Sequence, residues 1–384
     1  MALTDADAGW MRVALGLAGR ALGRTWPNPA VGCVLVSPDG RVVGRGFTQP
    51  GGRPHAETVA LDHAGPLARG ATAYVTLEPC AHTGRTPPCA NALIAAGVAR
   101  VVVSIEDPDP RVNGLGIATL RAAGIPTVTG CLAVEGAVLN RGFLNRIMAG
   151  RPMVTLKLAT SLDGRIATES GESRWITGPR ARAEGHLLRA RSDAVMVGAG
   201  TALADDPRLD VRGLGLDHVR PVRVVVSGRL RLPLTGYLGR TARETPLWLC
   251  HHSGADPAPR AAWSDAGAEL IEVPRAPDGL LDPAALTRAL GERGLTRVLC
   301  EGGGRLAGAL LAADQVDEVV CFGAGLALGA EGVPAVGPMH VPALDLAPRF
   351  RLVASGSVGP DARTHWRRAW SGRSGRAGSS TPES

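Results

Sequence analysis

Residues 54–57 have the sequence Pro-His-Ala-Glu, and residues 78–89 have the sequence Glu-Pro-Cys-Ala-His-Thr-Gly-Arg-Thr-Pro-Pro-Cys. The two segments contain three borderline or soft metal ligands: His55, Cys80 and Cys89. One imidazole and two thiols suit a zinc ion that keeps a fourth position open. Glu57 follows the histidine closely enough to handle protons at that position. The two segments therefore predict a catalytic zinc centre.

The local sequence predicts how these residues are held. Ala56–Ala64 has the pattern of a helix, so Glu57 lies in a first turn, where free backbone N–H groups favour negative charge. A second predicted helix has Pro88 just inside its start, followed by Cys89, and a cysteine in the first turn of a helix has its thiolate favoured. A short buried strand, Tyr74–Leu77, leads to the first cysteine. The predicted helices and strand therefore bring all three ligands to one place.

Zinc deaminases of amino-pyrimidines and purines use this arrangement: an activated hydroxide attacks the amidine carbon and a glutamate shuttles protons. Alternatives exist for each residue. A lone cysteine is usually a core residue, His-x-Glu occurs by chance in helices, and a structural zinc would take His82 as a fourth ligand. Cys-x-x-Cys is the commoner deaminase spacing, whereas Cys80 and Cys89 are separated by eight residues. The joint occurrence of the motifs in this order favours the catalytic site.

The same residues carry a close family resemblance. Asn28–Gly32, His55–Glu57 and Glu78–Cys89 resemble the bifunctional deaminase–reductase of riboflavin biosynthesis. The insert that contains Gly84–Pro88 is similar to that family rather than to cytidine or tRNA deaminases. The resemblance covers nearly the whole chain. It implies hydrolytic deamination of 2,5-diamino-6-ribosylamino-4(3H)-pyrimidinone 5′-phosphate, followed by NADPH-dependent reduction of the ribosyl group to ribityl.

Composition limits the class of protein. The chain has 384 residues, 45% of them hydrophobic, which is enough for two domains with separate cores. It has no run of about 20 apolar residues to span a membrane, and residues 1–23 lack a signal-peptide layout. Seven scattered cysteines favour a reducing cytosol, so we expect a cytoplasmic protein. Only Lys157 among the 42 basic residues is lysine, so the net charge of +7 reflects a residue preference and says little about partners.

Alternating strand and helix patterns predict an α/β fold. Ala30–Val36 and Arg41–Phe47 are predicted to form a hairpin around Asp39-Gly40. Helical patterns between the later strands predict a mixed sheet with helices on both faces. The resemblance implies a cytidine-deaminase-like α/β/α domain followed by a dihydrofolate-reductase-like domain. We expect three segments, namely a deaminase domain over 1–146, a reductase domain over 147–370 and a disordered Ser/Gly/Arg-rich tail over 371–384.

Two residues of the first domain are candidates for contact with the base. Asn28 lies between two prolines that hold the backbone extended, and the resemblance implies that its amide binds the pyrimidine edge. A turn-forming asparagine is the alternative. His82 would likewise point into the site, with an exposed loop histidine as its alternative. The chain departs from the family pattern at Trp26, where His is usual, and at Asp109 and Leu115, where Asn and Arg are usual.

Glycine-rich turns follow two predicted strands of the second half. Gly198-Ala-Gly200 follows Asp193–Val197, and Glu301-Gly-Gly-Gly-Arg305 follows Val298–Cys300. Backbone N–H groups in such turns are able to bind phosphate. The first turn lacks the Rossmann spacing, because Leu203 stands where the third glycine would be. The pattern alone leaves a dinucleotide site open, since tight strand–helix turns also use glycine for packing.

The resemblance to the reductase half implies specific contacts. It implies NADPH binding by Ala159, Trp175, Thr201, Asp205, Gly303, Gly304, Arg305, Leu306, Ala307, Gly308 and Ala309. It implies binding of the ribosyl phosphate substrate by Ser173, Arg189, Leu209, Arg212 and Glu301, where two arginines suit a phosphate monoester. The ionisable groups expected nearest the transferring hydride are Lys157, Glu301 and Asp205. A single lysine in an arginine-rich chain indicates a place that needs a compact charge; chance survival on an exposed strand is the alternative. Thr177 is predicted to be the N-cap residue of a helix over Pro179–Ala190.

Two other functions are compatible with the residues alone. One is a single-activity enzyme whose other site has decayed, which Asp109, Leu115 and Gly228 would favour; Ser227-Gly228 stands where Asp-Ser is usual in the family. The other is a nucleic-acid deaminase or binding protein, against which the missing basic and aromatic surface argues. We expect a small phosphorylated pyrimidine as substrate, no nucleic-acid or membrane partner, and a homo-oligomer.

Overall fold

The computed structural model describes residues 2–81 and 87–368. The predictions for His82 and for the tail over 371–384 therefore fall outside the described residues. The helices are α1 Asp5–Ala18, α2 Ala56–Ala64, α3 Cys89–Ala95, α4 Leu115–Ala122, α5 Ala133–Leu139, α6 Arg141–Ala149, α7 Pro179–Ala190, α8 Ala199–Asp205, α9 Tyr237–Arg240, α10 Pro257–Asp265, α11 Pro283–Glu292 and α12 Gly304–Ala312. Short 3-10 turns lie at Pro50–Gly52, Gly65–Ala68 and Leu344–Leu346.

The strands alternate with these helices in two separate series. The first series is β1 Gly32–Val36, β2 Val42–Phe47, β3 Thr72–Leu77, β4 Arg100–Ile105 and β5 Thr127–Val128. The second series is β6 Met153–Thr160, β7 Arg165–Ala167, β8 Ala194–Gly198, β9 Val222–Val226, β10 Leu247–His251, β11 Glu269–Glu272, β12 Arg297–Gly302, β13 Glu318–Gly323, β14 Val333–Pro334, β15 Phe350–Val358 and β16 Asp361–Arg368.

The first sheet has the order β2-β1-β3-β4-β5 and is mixed, as predicted. β1 pairs antiparallel with β2 and β3, and β3, β4 and β5 run parallel. Alternate side chains of β1 enter different cores: Cys33 and Leu35 pack with α2 and α3, while Val34 packs with α1. Helices therefore cover both faces of this sheet.

The start of α2 lies directly on β2. A Cβ atom on Gly46 would stand 2.3 Å from the carbonyl oxygen of Ala56, and one on Gly44 would stand 2.2 Å from that of Ala60. No side chain fits such gaps, so glycine permits this close approach. The contact fixes the first turn of α2, which carries Glu57.

The second sheet has nine strands in the order β11-β10-β9-β8-β12-β6-β13-β16-β15. The strands from β11 to β13 are parallel, and the hairpin of β15 and β16 adds two antiparallel strands at one edge. The chain runs outward from β8 to β11 and then returns at β12, between β8 and β6. Parallel sheets bind ligands where the strand order reverses, at the carboxyl ends of the strands. In this sheet the point of reversal lies between β8 and β12.

One local prediction is wrong. Thr177 does not cap α7; the N-cap residue is Gly178, whose amide donates to Asp361 Oδ2 at 2.7 Å. A side chain that lies 183 residues away in the sequence therefore supplies the acceptor for which a local threonine was predicted. Among residues 2–81 and 87–368, no helix combines the length and the apolar character that a bilayer crossing requires.

Candidate active sites

The three predicted metal ligands meet at the carboxyl end of β3. His55 is the N-cap residue of α2, Cys89 is the first residue of α3, and Cys80 follows β3. His55 Nδ1 lies 3.3 Å from Cys89 Sγ and 3.7 Å from Cys80 Sγ. All three ligand atoms lie within 4.8 Å of one another.

These separations fit one tetrahedral zinc ion. Zn–N bonds of about 2.0–2.1 Å and Zn–S bonds of about 2.3 Å imply N···S separations of about 3.5 Å at the tetrahedral angle. The observed 3.3 Å and 3.7 Å bracket that value. Three ligands leave a fourth position for water or substrate, which is the arrangement of a catalytic zinc site rather than a closed structural one.

The electrostatics of the two thiols also suit a metal. Hydrogen bonds from Cys89 and from His55 together lower the pKa of Cys80 to about 4, against the opposing effect of burial. The amide of Cys89 donates to Cys80 Sγ at 3.3 Å, so the first turn of α3 stabilises the thiolate. The same hydrogen bond to Cys80, together with burial, raises the pKa of Cys89. The pair therefore holds one thiolate that is ready for a cation.

Glu57 lies beside this centre and is only 3% exposed. Burial raises the pKa of Glu57 to about 7, and the Cys80 thiolate adds to the increase. A carboxyl group in this setting is able to accept and release a proton near neutral pH.

Glu78, which precedes Pro79 and Cys80, is a functional residue that sequence reasoning missed. Its buried carboxylate accepts four backbone hydrogen bonds at 2.9–3.2 Å, from the amides of Asp107, Gly114, Gly116 and Ile117. A Cβ atom on Gly116 would stand 1.9 Å from the carbonyl oxygen of Pro79, so the start of α4 touches the metal turn. Glu78 thus ties the loop over 107–117 to the segment that carries Cys80.

Asn28 lies against the loop that leads to His55. A Cβ atom on Gly52 would stand 1.9 Å from Asn28 Nδ2, so this close contact requires glycine. The amide of Gly51 donates to the carbonyl of Arg24 at 2.8 Å, and that of Ala30 donates to Asn140 Oδ1 at 3.1 Å. The segment around Asn28 is therefore held from both sides.

A second cluster of charges lies in the second sheet. Glu301 on β12 accepts hydrogen bonds from Arg189 Nε at 2.5 Å and from Arg189 Nη2 at 3.0 Å. Lys157 Nζ on β6 lies 4.0 Å from Glu301 Oε2. Burial would raise the pKa of Glu301, but the charges of Arg189 and Lys157 lower it to about 2. Asp205, the third residue predicted near the hydride, lies instead at the end of α8, with Oδ1 3.9 Å from Arg174 Nη2.

The two glycine-rich turns meet at the point of strand reversal. A Cβ atom on Gly303 would stand 3.0 Å from Thr201 Oγ1, which brings the start of α12 next to α8. Gly304 and Gly308 of α12 pack on the chain over 334–338, where Cβ atoms would stand 2.5 Å and 2.8 Å from backbone oxygens. Ala307 is buried in the core. Of the predicted cofactor run, Gly304, Ala307 and Gly308 thus serve packing.

The remaining predicted contacts lie near the same edge. Arg189 Nη1 donates to the carbonyl of Asp210, and Arg212 Nη1 lies 2.9 Å from Asp210 Oδ1, so the two arginines meet at one residue. The side chain of Leu209 is buried. Trp175 is 68% exposed, with the Arg182 guanidinium 4.4 Å from its ring centroid. Ser173 is half-buried in the same loop, and Ala159 is half-buried on β6.

Two family models match the chain. The model of the cytidine and deoxycytidylate deaminase zinc-binding region matches residues 4–105, and that of the RibD C-terminal domain matches residues 152–363. The riboflavin biosynthesis protein RibD of Escherichia coli is 43% identical, over 94% of this chain and 98% of the relative. The corresponding Mycobacterium tuberculosis protein is 40% identical, over 88% of this chain and 91% of the relative.

Solved structures agree with these matches. Form 1 of Acinetobacter baumannii RibD has a TM-score of 0.85 and 39% identity, and covers 95% of this chain and 99% of its own. The Thermotoga maritima diaminohydroxyphosphoribosylaminopyrimidine deaminase/5-amino-6-(5-phosphoribosylamino)uracil reductase has a TM-score of 0.81 and 33% identity, with the same coverage.

The fold and the sites define a two-part enzyme in which a cytidine-deaminase-like zinc domain precedes a dihydrofolate-reductase-like domain. The chain belongs to the RibD family of bifunctional deaminase–reductases of riboflavin biosynthesis, which use zinc and NADPH. The comparisons give no support to a single-activity or nucleic-acid-directed alternative.

Proposed function

We propose that residues 1–146 remove the 2-amino group of 2,5-diamino-6-ribosylamino-4(3H)-pyrimidinone 5′-phosphate, and that residues 147–370 reduce the ribosyl group of the aminouracil product to ribityl. The observation that carries the first step is the convergence of one imidazole and two thiols beside a buried carboxylate. The name of the Thermotoga maritima relative, which states both activities for that protein, supports the substrate.

For the deamination step, His55, Cys80 and Cys89 would hold the zinc ion. When bound, zinc lowers the pKa of a water molecule to near 7 and so supplies the nucleophile. Glu57 accepts the proton of that water and returns it to the leaving ammonia. Because Glu57 is buried, bulk water does not compete for this proton. Asn28 and His82 contact the edge of the base.

For the reduction step, the second domain would hold NADPH, which when bound would provide the hydride for C1′ of the imine form of the substrate. Ala159, Trp175, Thr201 and Asp205 would hold the cofactor along the carboxyl edge of the second sheet, together with the positions of the run 303–309 that are not buried. Lys157 and Glu301 lie nearest the reacting carbon and stabilise its charge while the two reactants are aligned. Arg189, Arg212, Ser173 and Leu209 bind the ribosyl phosphate.

A second copy of the chain is the partner we propose for β15. This strand forms the edge of the nine-stranded sheet, and Leu352 and Val353 on it are 50% and 41% exposed. An apolar groove of about 770 Å³ lies beside it, lined by residues that include Leu158, Met339 and Phe350. Unpaired edges and apolar patches of this kind are usually covered in proteins. Sedimentation analysis of the full chain and of a Leu352→Glu variant tests this: we expect a dimer that the variant dissociates, and a monomeric wild type would contradict it.

We further propose that the enzyme works in the cytoplasm on this small substrate alone, without a nucleic-acid or membrane partner. All seven cysteines carry free thiols, as a reducing compartment favours. Catalysis by the zinc site also requires two of these thiols in reduced form.

The experiment that tests both proposed activities measures them separately on one purified full-length chain. Zinc content is determined together with ammonia release from the diaminopyrimidine, and NADPH oxidation is followed with the deaminated product. We expect roughly one zinc ion per chain, ammonia release without NADPH, and NADPH oxidation only after deamination. A zinc-loaded chain that releases no ammonia would contradict the deaminase step, and failure to oxidise NADPH with the deaminated product would contradict the reductase step.

A further inference from the structure

The segment that carries Asn28 leaves its own domain and packs on the reductase domain. Trp26 belongs to the first domain by sequence, yet its side chain packs against the apolar core of the second sheet. The ring of Trp26 meets that of Trp248 on β10 edge-on, with centroids 6.2 Å apart and an interplanar angle of 87°. Edge-to-face pairs at this separation are a favoured aromatic geometry. The two rings therefore form a specific contact between the domains.

The backbone on either side of Trp26 touches the reductase domain as well. A Cβ atom on Gly23 would stand 2.7 Å from the carbonyl oxygen of Ala190, at the end of α7. A Cβ atom on Gly294 would stand 3.0 Å from Pro27 Cβ. Both glycines have positive φ values, +76° and +94°, so a larger residue would be both crowded and strained. The segment from Gly23 to Pro27 thus fits closely into the second domain.

A second set of contacts, made by hydrogen bonds, holds the chain on the C-terminal side of Asn28. The amide of Ala30 donates to Asn140 Oδ1 at 3.1 Å, and the preceding residue, Leu139, accepts a hydrogen bond from Arg297 Nη2 at 2.5 Å. Arg297 lies on β12 of the second sheet. Asn28 is therefore placed between two anchors, each of which ends on the reductase domain.

We propose that the reductase domain positions the base-contacting segment of the deaminase site, and that Trp26 is the positioning residue. The contact of its ring with Trp248 fixes the position of Asn28 relative to Gly52 and to the loop that leads to His55. The proposal rests on the proposed contact between Asn28 and the pyrimidine. It makes the deaminase site a product of both domains, although all of the metal chemistry lies in the first.

The test compares Trp26→Ala, Trp26→Phe and Trp10→Ala in the full chain. Trp10 is a half-buried tryptophan of the same domain. It lies on α1 and packs in the core between α1 and the first sheet, not on the reductase core, so it is the matched control. For Trp26→Ala we expect the KM of ammonia release to rise about tenfold or more, with kcat changed less than about threefold, because the base is misplaced while the metal chemistry is intact. Zinc content and NADPH oxidation with the deaminated substrate stay at wild-type values.

The conservative variant and the partner residue sharpen this test. Trp26→Phe keeps an aromatic ring against Trp248 and should restore the KM to within about threefold of wild type. Trp248→Leu, in the other domain, should also raise the KM of the deaminase. Since the two rings act through one contact, the double variant should be little worse than Trp26→Ala alone.

Hydrogen exchange gives a readout that does not depend on activity. We expect the amides over 24–32 to exchange faster in Trp26→Ala than in wild type or Trp10→Ala. A Trp26→Ala enzyme with unchanged KM and unchanged exchange would overturn the proposal, as would a parallel loss of both activities. If the wild-type chain released no ammonia, the proposed deamination would fail while the exchange data would still decide the role of Trp26.

Discussion

Arg189 on α7 and Glu301 on β12 form a two-point ion pair, with Nε–Oε1 and Nη2–Oε2 distances of 2.5 Å and 3.0 Å. Lys157 approaches the same carboxylate to 4.0 Å, so one largely buried anion faces two cations and the cluster keeps a net positive charge. Because those charges hold the pKa of Glu301 at about 2, it is ionised throughout the neutral range. Arg189 and Arg212 are both paired with carboxylates, but the Arg212 side chain is 46% exposed against 16% for Arg189, so we infer that Arg212 is the more accessible of the two to the substrate phosphate.

Replacing Glu301 with glutamine should damage the reductase alone. The variant keeps the shape of the side chain but leaves Lys157 and Arg189 without their counter-charge next to the reacting carbon. We expect NADPH oxidation with the deaminated substrate to fall by roughly 10²-fold or more, and ammonia release to stay within about twofold of wild type. Glu272→Gln, at the surface of the same sheet, is the control and should change neither rate. Undiminished NADPH oxidation would remove Glu301 from the site.

Replacing Glu57 with glutamine should damage the deaminase alone. Loss of a positioned general acid–base group costs about 10²–10⁴-fold, so ammonia release should become barely detectable. Zinc content should be unchanged, because His55, Cys80 and Cys89 all remain, and NADPH oxidation with the deaminated substrate should be nearly intact. The exposed Glu135 provides a matched glutamine control in the same domain. Loss of both activities in Glu57→Gln would contradict two separate sites.

Glu78→Gln should act differently from Glu57→Gln. The glutamine would turn an N–H₂ group toward amides that need an acceptor, which leaves two of the four backbone donors unsatisfied. Unmade hydrogen bonds of buried groups cost about 1–3 kcal/mol, and we expect a loss of unfolding free energy of that order. The KM of ammonia release should rise as the loop over 107–117 loosens, while zinc stays bound. A wild-type KM and melting temperature would show that this carboxylate does not hold the loop.

The metal centre was predictable from the sequence because its chemistry is local. A few residues are enough to encode each metal ligand and the start of each helix, at Ala56 and at Cys89. The order of the motifs then places the three ligands at one end of a sheet. The alternation of strands and helices predicted the mixed first sheet for the same reason. The family resemblance supplied the reductase contacts, which spacing alone left open.

The contacts that hold the sites in place were not predictable, because their partners are distant in the sequence. Glu78 binds amides 29 to 39 residues further along, and Arg189 meets Glu301 across 112 residues. Trp26 stood out in the sequence only as a departure from the family pattern, and the ring that explains it belongs to the other domain. No periodicity encodes such pairings, since they depend on how the two sheets are arranged in space.

The buried ion pair of Asp7 and Arg100 makes the stability of the first domain depend on pH. Hydrogen bonds from Arg100 at 2.6 Å and 3.0 Å, and from Tyr74 at 2.9 Å, outweigh burial and hold the pKa of Asp7 well below its usual range. A depressed carboxyl pKa stabilises the fold above the unfolded value, near 3.8, and this stabilisation is lost as the pH falls toward the folded value.

We therefore expect Asp7→Asn to lower the unfolding free energy at pH 7 by about 1.5–3 kcal/mol, the usual range for hydrogen bonds to a charged group. The deficit should shrink below about pH 4, because the unfolded wild type then takes up a proton that the folded protein still excludes, which lowers the unfolding free energy of the wild type but not of the variant. Urea unfolding between pH 3 and pH 7 measures both quantities. Asp5→Asn, on the exposed face of the same helix, should show neither effect. A deficit that is constant down to pH 3 would mean that packing, and not the charge of Asp7, links α1 to the sheet.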